Sequence, residues 1–291
     1  MVDKSRPKKP IDWFKYILIL PLIVWLGLFV VFPLLDVAIM SFMKSGTYGG
    51  VEVGFSLNNY FSLLSPLYLK IIFLSFLLAF VVTVISILIA YPFAMFVSKK
   101  SNASLSVLTA LITTPFMISS ILRLYAWIMI LRTNGILNSF LMKVHVTGKP
   151  LDLVYNNFAV ILGMVYTLIP FMLLPLISGF RNVDVSLVEA TQDLGGRKLE
   201  IFKYVYLPTT LPAIFSGSIM VFIPTLGYFF VSDIMGGSKS ILIGNLVRDQ
   251  FISAHNWPFG SALSVSIIVF TFLVLWLYKR MGGSLDDLGG N

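Results

Sequence analysis

The most chemically suggestive group in this sequence is a carboxylate among aromatic rings: Asp233 follows Tyr228, Phe229 and Phe230 closely in the chain. A carboxylate beside ring faces suits an organic ammonium ion, through charge pairing and cation–π attraction of about 0.5–2 kcal/mol per contact. Trp127, in another apolar stretch, could add a further ring. Tyr125, Trp127, Tyr228, Phe229, Phe230 and Trp257 equally fit an aromatic belt at a membrane interface, so both readings stand for them. Arg123 is the second group of interest, because it lies inside an apolar run, where a guanidinium costs about 2.5–3.5 kcal/mol to insert. Either it pairs with Asp36 or Asp233, each at the outer end of a different span, or it snorkels outward alone.

Catalytic chemistry finds no footing. The acids are scattered, no Ser/His/Asp or paired-carboxylate arrangement exists, and no cysteine is present to serve as a nucleophile or thiolate ligand. His145 and His255 fall in separate predicted loops and cannot form a metal cluster alone. Met235–Ser240 contains Gly, Lys and Ser without the P-loop spacing. Asn102-Ala103-Ser104 fits a glycosylation sequon but falls in a loop expected on the cytoplasmic side. The sequence thus predicts neither a catalytic site nor a metal or cofactor bound by this chain.

The elements that position these residues follow from composition. With 57% hydrophobic and 12% charged residues and a mean hydropathy of +0.91, the chain lies far outside the soluble range of about 25% charged. It reads as an all-α integral membrane protein. Apolar runs at 16–35, 71–98, 104–131, 158–180, 207–232 and 259–278 are each long enough to cross about 30 Å of hydrocarbon. The reading is a single six-span domain over 16–281, with tails at 1–15 and 282–291. The net charge of +8 reflects orientation rather than nucleic acid. Lys4, Arg6, Lys8, Lys9, Lys15, Lys99, Lys100, Arg181, Arg197, Lys198, Lys203, Lys279 and Arg280 outweigh Lys44, Lys70, Arg132, Lys143, Lys149, Lys239 and Arg248, which places both termini in the cytoplasm. Pro33, Pro92, Pro115, Pro170, Pro175, Pro212 and Pro224 predict kinked spans in a packed bundle, either static or bending in a transport cycle.

One polar stretch, Asp184–Pro208, interrupts this pattern between spans four and five. Ser186 and Glu189 have capping-box spacing. Gly195-Gly196 permits a left-handed turn, and Leu199, Phe202 and Tyr206 place apolar groups on one face of a second short helix. Two short helices at a glycine corner, on the cytoplasmic side, form a block on which something docks.

That stretch resembles the EAA loop of the membrane subunits of ABC importers: Glu189-Ala190, with Thr191 for the second alanine, then Gly195 after three further residues, and Val205 before Leu207-Pro208. The resemblance implies a MetI-like permease fold in which Glu189, Ala190, Asp193, Gly195, Leu207 and Pro208 couple the spans to a cytoplasmic ATPase. Nearly the whole chain is similar to the PotB-type permeases of bacterial spermidine/putrescine importers, through Asn59-Tyr60, Pro66-Leu67-Tyr68, Tyr91-Pro92-Phe93-Ala94, Ser120–Tyr125, Val231–Phe251 and Asn256–Gly260. What this implies is a bacterial inner-membrane permease subunit, half of a polyamine pathway. Its expected partners are a second, PotC-type permease, a dimer of PotA-type ATPases that use ATP and Mg, a PotD-type extracytoplasmic binding protein, and membrane lipid. Asp233, Tyr228, Phe229 and Trp127 are the candidate pathway residues. A permease for another small solute, or a self-sufficient secondary transporter, is the alternative; charged relay residues deep within spans and inverted repeats, which a secondary transporter would show, are not seen in the sequence.

Overall fold

The computed structural model describes residues 13–46, 49–237 and 240–280. The predicted tails therefore lie outside the described residues, apart from 13–15, which open the first helix; Lys239 lies outside them as well. Among the described residues five helices are long and apolar enough to cross a membrane, and a bent pair raises the number to six. They are α1 (Ile19–Met40), α3 (Pro66–Ser98), α7 (Asn157–Arg181), α9 (Lys198–Gly227) and α11 (Trp257–Arg280). The bent pair joins α4 (Asn102–Thr113) and a 3-10 turn, Thr114–Met117, to α5 (Ser120–Leu131) and α6 (Ile136–Lys143), at an angle of 92°.

The expected third span over 104–131 is thus not one straight helix. Pro115 opens the 3-10 turn, and Ile118 and Ser119 take extended ψ angles of 142° and 131°, which end the hydrogen-bond ladder. The fifth span ends before its predicted limit of 232. Tyr228 leaves the helix at ψ 61°, after which a short helical turn and a π-turn carry Asp233.

Two further π-turns precede prolines. Gly27–Val31 comes just before Pro33, and Phe202–Tyr206 just before Pro208; in each the wider turn closes from i+5, with Phe32 N–H donating to Gly27 O and Leu207 N–H to Phe202 O. A proline ring clashes with the carbonyl one turn back, and widening the helix by one residue relieves the clash.

The core is formed by α3, α7 and α9, which contact one another along their lengths. Ala79, Val82, Val97, Val160, Met164, Leu168, Met172, Leu176 and Val221 are buried there. Lipid removes the hydrophobic incentive for helices to associate, so close approach at small residues must supply the packing. A Cβ on Gly179 would stand 2.5 Å from Ala213 Cβ, which marks such a crossing of α7 and α9. By contrast, α1 is exposed throughout its most apolar stretch and packs on α11.

The connection between α1 and α3 departs from a purely helical reading. It contains an antiparallel hairpin, β1 (Met43–Ser45) with β2 (Val51–Phe55), and α2 (Asn58–Leu63). Asn59 Nδ2 donates to the carbonyls of Ser41 and Met43, and Ser45 Oγ donates to Asn256 Oδ1 at 2.7 Å, which ties the hairpin to the start of α11. Before α11 lies the short helix α10 (Ile243–Ile252).

Candidate functional site

The block between α7 and α9 is built at the end of the bundle that carries Lys99 and Arg181. Helix α8 (Val185–Asp193) is capped by Asp184, whose Oδ1 accepts from Ser186 N–H at 2.9 Å. Its cap is therefore Asp184 rather than Ser186, because the aspartate side chain reaches the free amides first. The backbone donor of Ser186, helped by its hydroxyl, holds the Asp184 carboxyl below its usual value. At the other end Gly195 takes φ +81°, Gly195 N–H donates to Gln192 O and Gly196 N–H to Thr191 O at 2.9 Å, a Schellman closure. A Cβ on Gly196 would meet Thr191 O at 2.6 Å, so both glycines are required.

The second half of the block is not a separate short helix. It starts at Lys198, where Glu200 Oε2 accepts from Arg197 N–H at 2.6 Å, and runs through the π-turn into the span as α9. Its buried face is Ile201 and Val205, packed with Val183 and Val188. Leu199, expected on that face, is 76% exposed, because the bundle meets the side of the helix bearing 201 and 205. Val185, Leu187, Leu194 and Tyr204 of the block are also exposed. Glu189, Ala190, Asp193, Gly195 and Pro208 are exposed as well, while Leu207 is half-buried.

An aromatic junction joins this block to the core. Tyr91 of α3 meets Phe180 of α7 at 4.9 Å and Phe202 at 5.8 Å between centroids, and Phe180 meets Tyr206 at 5.9 Å. Tyr91 Oη and Thr210 Oγ1 are hydrogen-bonded at 3.1 Å. These contacts link the block to all three core helices.

At the opposite end the structure does bring Asp233 and Phe229 together, but with a resident cation. Asp233 Oδ2 accepts from Arg248 Nη1 and Oδ1 accepts from Asn245 Nδ2 at 2.7 Å; the Arg248 guanidinium carbon lies 5.3 Å from the Phe229 ring centre. Arg248 Nε and Nη2 donate to Asp249 Oδ1 at 2.9 and 2.6 Å. Tyr228 stacks obliquely on Phe230 at 5.1 Å. Trp127 lies edge-on to Tyr166 at 5.5 Å, packed against the core rather than beside Asp233.

Among the described residues, neither Asp36 nor Asp233 forms an ion pair with Arg123. Arg123 is buried at 8% exposure, so it does not snorkel outward either. Its guanidinium carbon lies 4.4 Å from the Phe116 ring centre and 5.6 Å from that of Tyr166, and Nη2 donates to Ser120 Oγ at 3.1 Å. Phe116 precedes the 92° bend and Arg123 follows it, so the cation clasps the bend.

Sequence reasoning missed Asn245 and Arg248. Their i, i+3 spacing on an amphipathic helix is the available signal, but a basic residue near a span end reads first as an orientation marker. Among the described residues no group of three or more His, Asp or Glu could hold a metal.

Residues 82–285 match the family described as binding-protein-dependent transport system inner membrane component. The chain is 38% identical over 273 residues to the spermidine/putrescine transport system permease protein PotB of Salmonella typhimurium, covering 94% of this chain and 95% of that one. It is 38% identical over 269 residues to the protein of the same name from Escherichia coli strain K12, covering 92% and 98%. A solved bacterial alginate ABC transporter, in complex with alginate pentasaccharide-bound periplasmic protein, contains a chain that matches with a TM-score of 0.75 at 14% identity, over 93% of this chain and 94% of that one.

Proposed function

The chain belongs to the family of binding-protein-dependent transport system inner membrane components, and we propose that it is the PotB-type permease subunit of an ATP-driven spermidine/putrescine importer. It is a multi-pass inner-membrane protein and a transport subunit. In this reading both termini and the Asp184–Pro208 block face the cytoplasm, and the hairpin end faces outward. A dimer of PotA-type ATPases, which bind ATP and Mg, docks on the block; a second, PotC-type permease completes the pathway, and a PotD-type protein delivers the polyamine.

The observation that carries the coupling is the exposure of Leu187, Leu194, Leu199 and Tyr204, large apolar side chains on the block that also carries the exposed Glu189. Because α9 runs unbroken from Lys198 to Gly227, about 45 Å at 1.5 Å per residue, a tilt imposed at its first turn is delivered to the far end. The aromatic junction passes the same motion to α3 and α7. Closure of the ATPases on ATP then opens the cavity outward for a polyamine, and hydrolysis returns it inward.

The test is ATPase activity of the co-expressed complex in liposomes, with binding protein loaded with spermidine or putrescine, and a neutral sugar as control. Stimulation by loaded polyamine, lost on altering Glu189 or Gly195, supports both the cargo and the coupling block. Stimulation only by another loaded binding protein keeps the permease and rejects the cargo. Failure to assemble with any ATPase overturns the reading.

A further inference from the structure

The Asp233 cluster contains more than a carboxylate beside a ring. Asp233 sits on the π-turn after α9, while Asn245 and Arg248 stand one turn apart on α10 and reach it from the same face. Asn245 Nδ2 donates both to Asp233 Oδ1 and to the Phe229 carbonyl, at 2.7 and 3.2 Å, so the aspartate is held in place independently of the arginine. The side chains of Arg248, Asp233 and Asp249 remain 29%, 36% and 43% exposed, open to a diffusing ligand.

We propose that Arg248 is a tethered stand-in for the cargo: its guanidinium occupies the place on Asp233 and Phe229 that an organic ammonium group takes, and a polyamine must displace it. This rests on the cationic cargo assigned above. The guanidinium fork is divided between two carboxylates. Nη1 goes to Asp233, while Nε and Nη2 go to Asp249, its neighbour on the same helix. When an ammonium group takes Asp233, Arg248 keeps two charge-assisted bonds to Asp249, and no charge is left unpaired.

One cation against two carboxylates leaves the seated cluster with a net charge of −1, so it attracts cations before it opens. A neutral sugar or an anion has no means of breaking the Arg248–Asp233 bond. A monovalent cation exchanges one charge for another without gain. A di- or polyamine places a second ammonium group in the negative field of the cluster and shifts the exchange toward binding. Arg248 is therefore a specificity-determining residue, and because the exchange is nearly balanced the cargo can also leave.

The test is direct binding of labelled spermidine to the detergent-purified permease–ATPase complex without binding protein. Arg248→Gln should bind at least about tenfold tighter than wild type, and methylguanidinium, which barely competes in wild type, should compete with it. Asp233→Asn should bind at least about tenfold more weakly. Asp249→Asn removes the alternative seat, so Arg248 stays on Asp233 and binding should weaken about fivefold or more; this exposed substitution decides the matter if Arg248→Gln does not assemble. Equal or weaker binding by Arg248→Gln, or unchanged binding by Asp249→Asn, overturns the proposal. A wild-type complex that neither binds nor imports any polyamine overturns instead the cargo assignment on which it rests.

Discussion

Replacing Gly179 by alanine tests whether the α7–α9 crossing holds the bundle in register. The added Cβ would stand 2.5 Å from Ala213 Cβ, whereas ordinary contact is 3.4–4 Å. The helices must separate by the difference, about 0.9–1.5 Å, because a methyl on a helix backbone cannot rotate away. Overpacking of this kind costs about 1–3 kcal/mol. At roughly 2–4 °C per kcal/mol, the melting temperature of the purified complex, followed by loss of its size-exclusion peak on heating, should fall by about 2–12 °C. Ala213→Gly removes the methyl that the new one meets, so the double variant should be no less stable than Ala213→Gly alone. Gly179 lies near the end of α7, just ahead of the coupling block, so substrate-stimulated ATPase activity should fall in Gly179→Ala and return in the double variant. An unchanged melting temperature in Gly179→Ala, or losses that simply add in the double variant, would refute the close-packed crossing.

Glu189→Arg should leave membrane insertion intact while uncoupling ATP hydrolysis from transport; normal loaded-protein stimulation of ATPase activity would count against docking at this residue. Phe116→Leu removes the nearer ring from Arg123 and should destabilise the complex by about 0.5–2 kcal/mol, seen as a lower melting temperature, whereas Ile118→Leu should not. Asp184 has a depressed native pKa, so its cap stabilises α8 above the unfolded carboxylate value and is lost as pH falls through the lower, native one. Hydrogen exchange at Ser186–Val188 should therefore be faster in Asp184→Ala than in wild type near neutrality, and the two should converge on acidification; a difference that persists below the native Asp184 value would assign the cap elsewhere.

The spans were legible because hydropathy over about 20 residues reports length directly, and the glycine corner because φ > 0 is a local demand that only certain residues meet. Pro115 marked a kink at the bend, but its 92° size was not legible, since Ile118 and Ser119 are as apolar or small as their neighbours and hydropathy carries no direction. The hairpin left a trace in the alternation Val51-Glu52-Val53-Gly54-Phe55, but a strand that short is outweighed by the glycines around it. Asp233 was legible as a group that wants a cation. Which cation it holds was not, because Arg248 lies fifteen residues further along, on α10, and reaches Asp233 only once that helix packs beside the π-turn. Arg123 in an apolar run calls for an acid, whereas the structure gives it rings, a choice that depends on which helices meet.

The π-turn ahead of Pro208 also sets a compass bearing. One residue in a helix corresponds to about 100° of azimuth, so the extra residue in Phe202–Tyr206 fixes the direction in which Leu194, Leu199 and Glu189 look, relative to the lipid- and core-facing sides of α9. Shortening that turn by one residue would leave every side chain in place on the block and swing the whole block about a quarter-turn around the span. The aim of this surface is thus written in the span's pitch, outside the block itself.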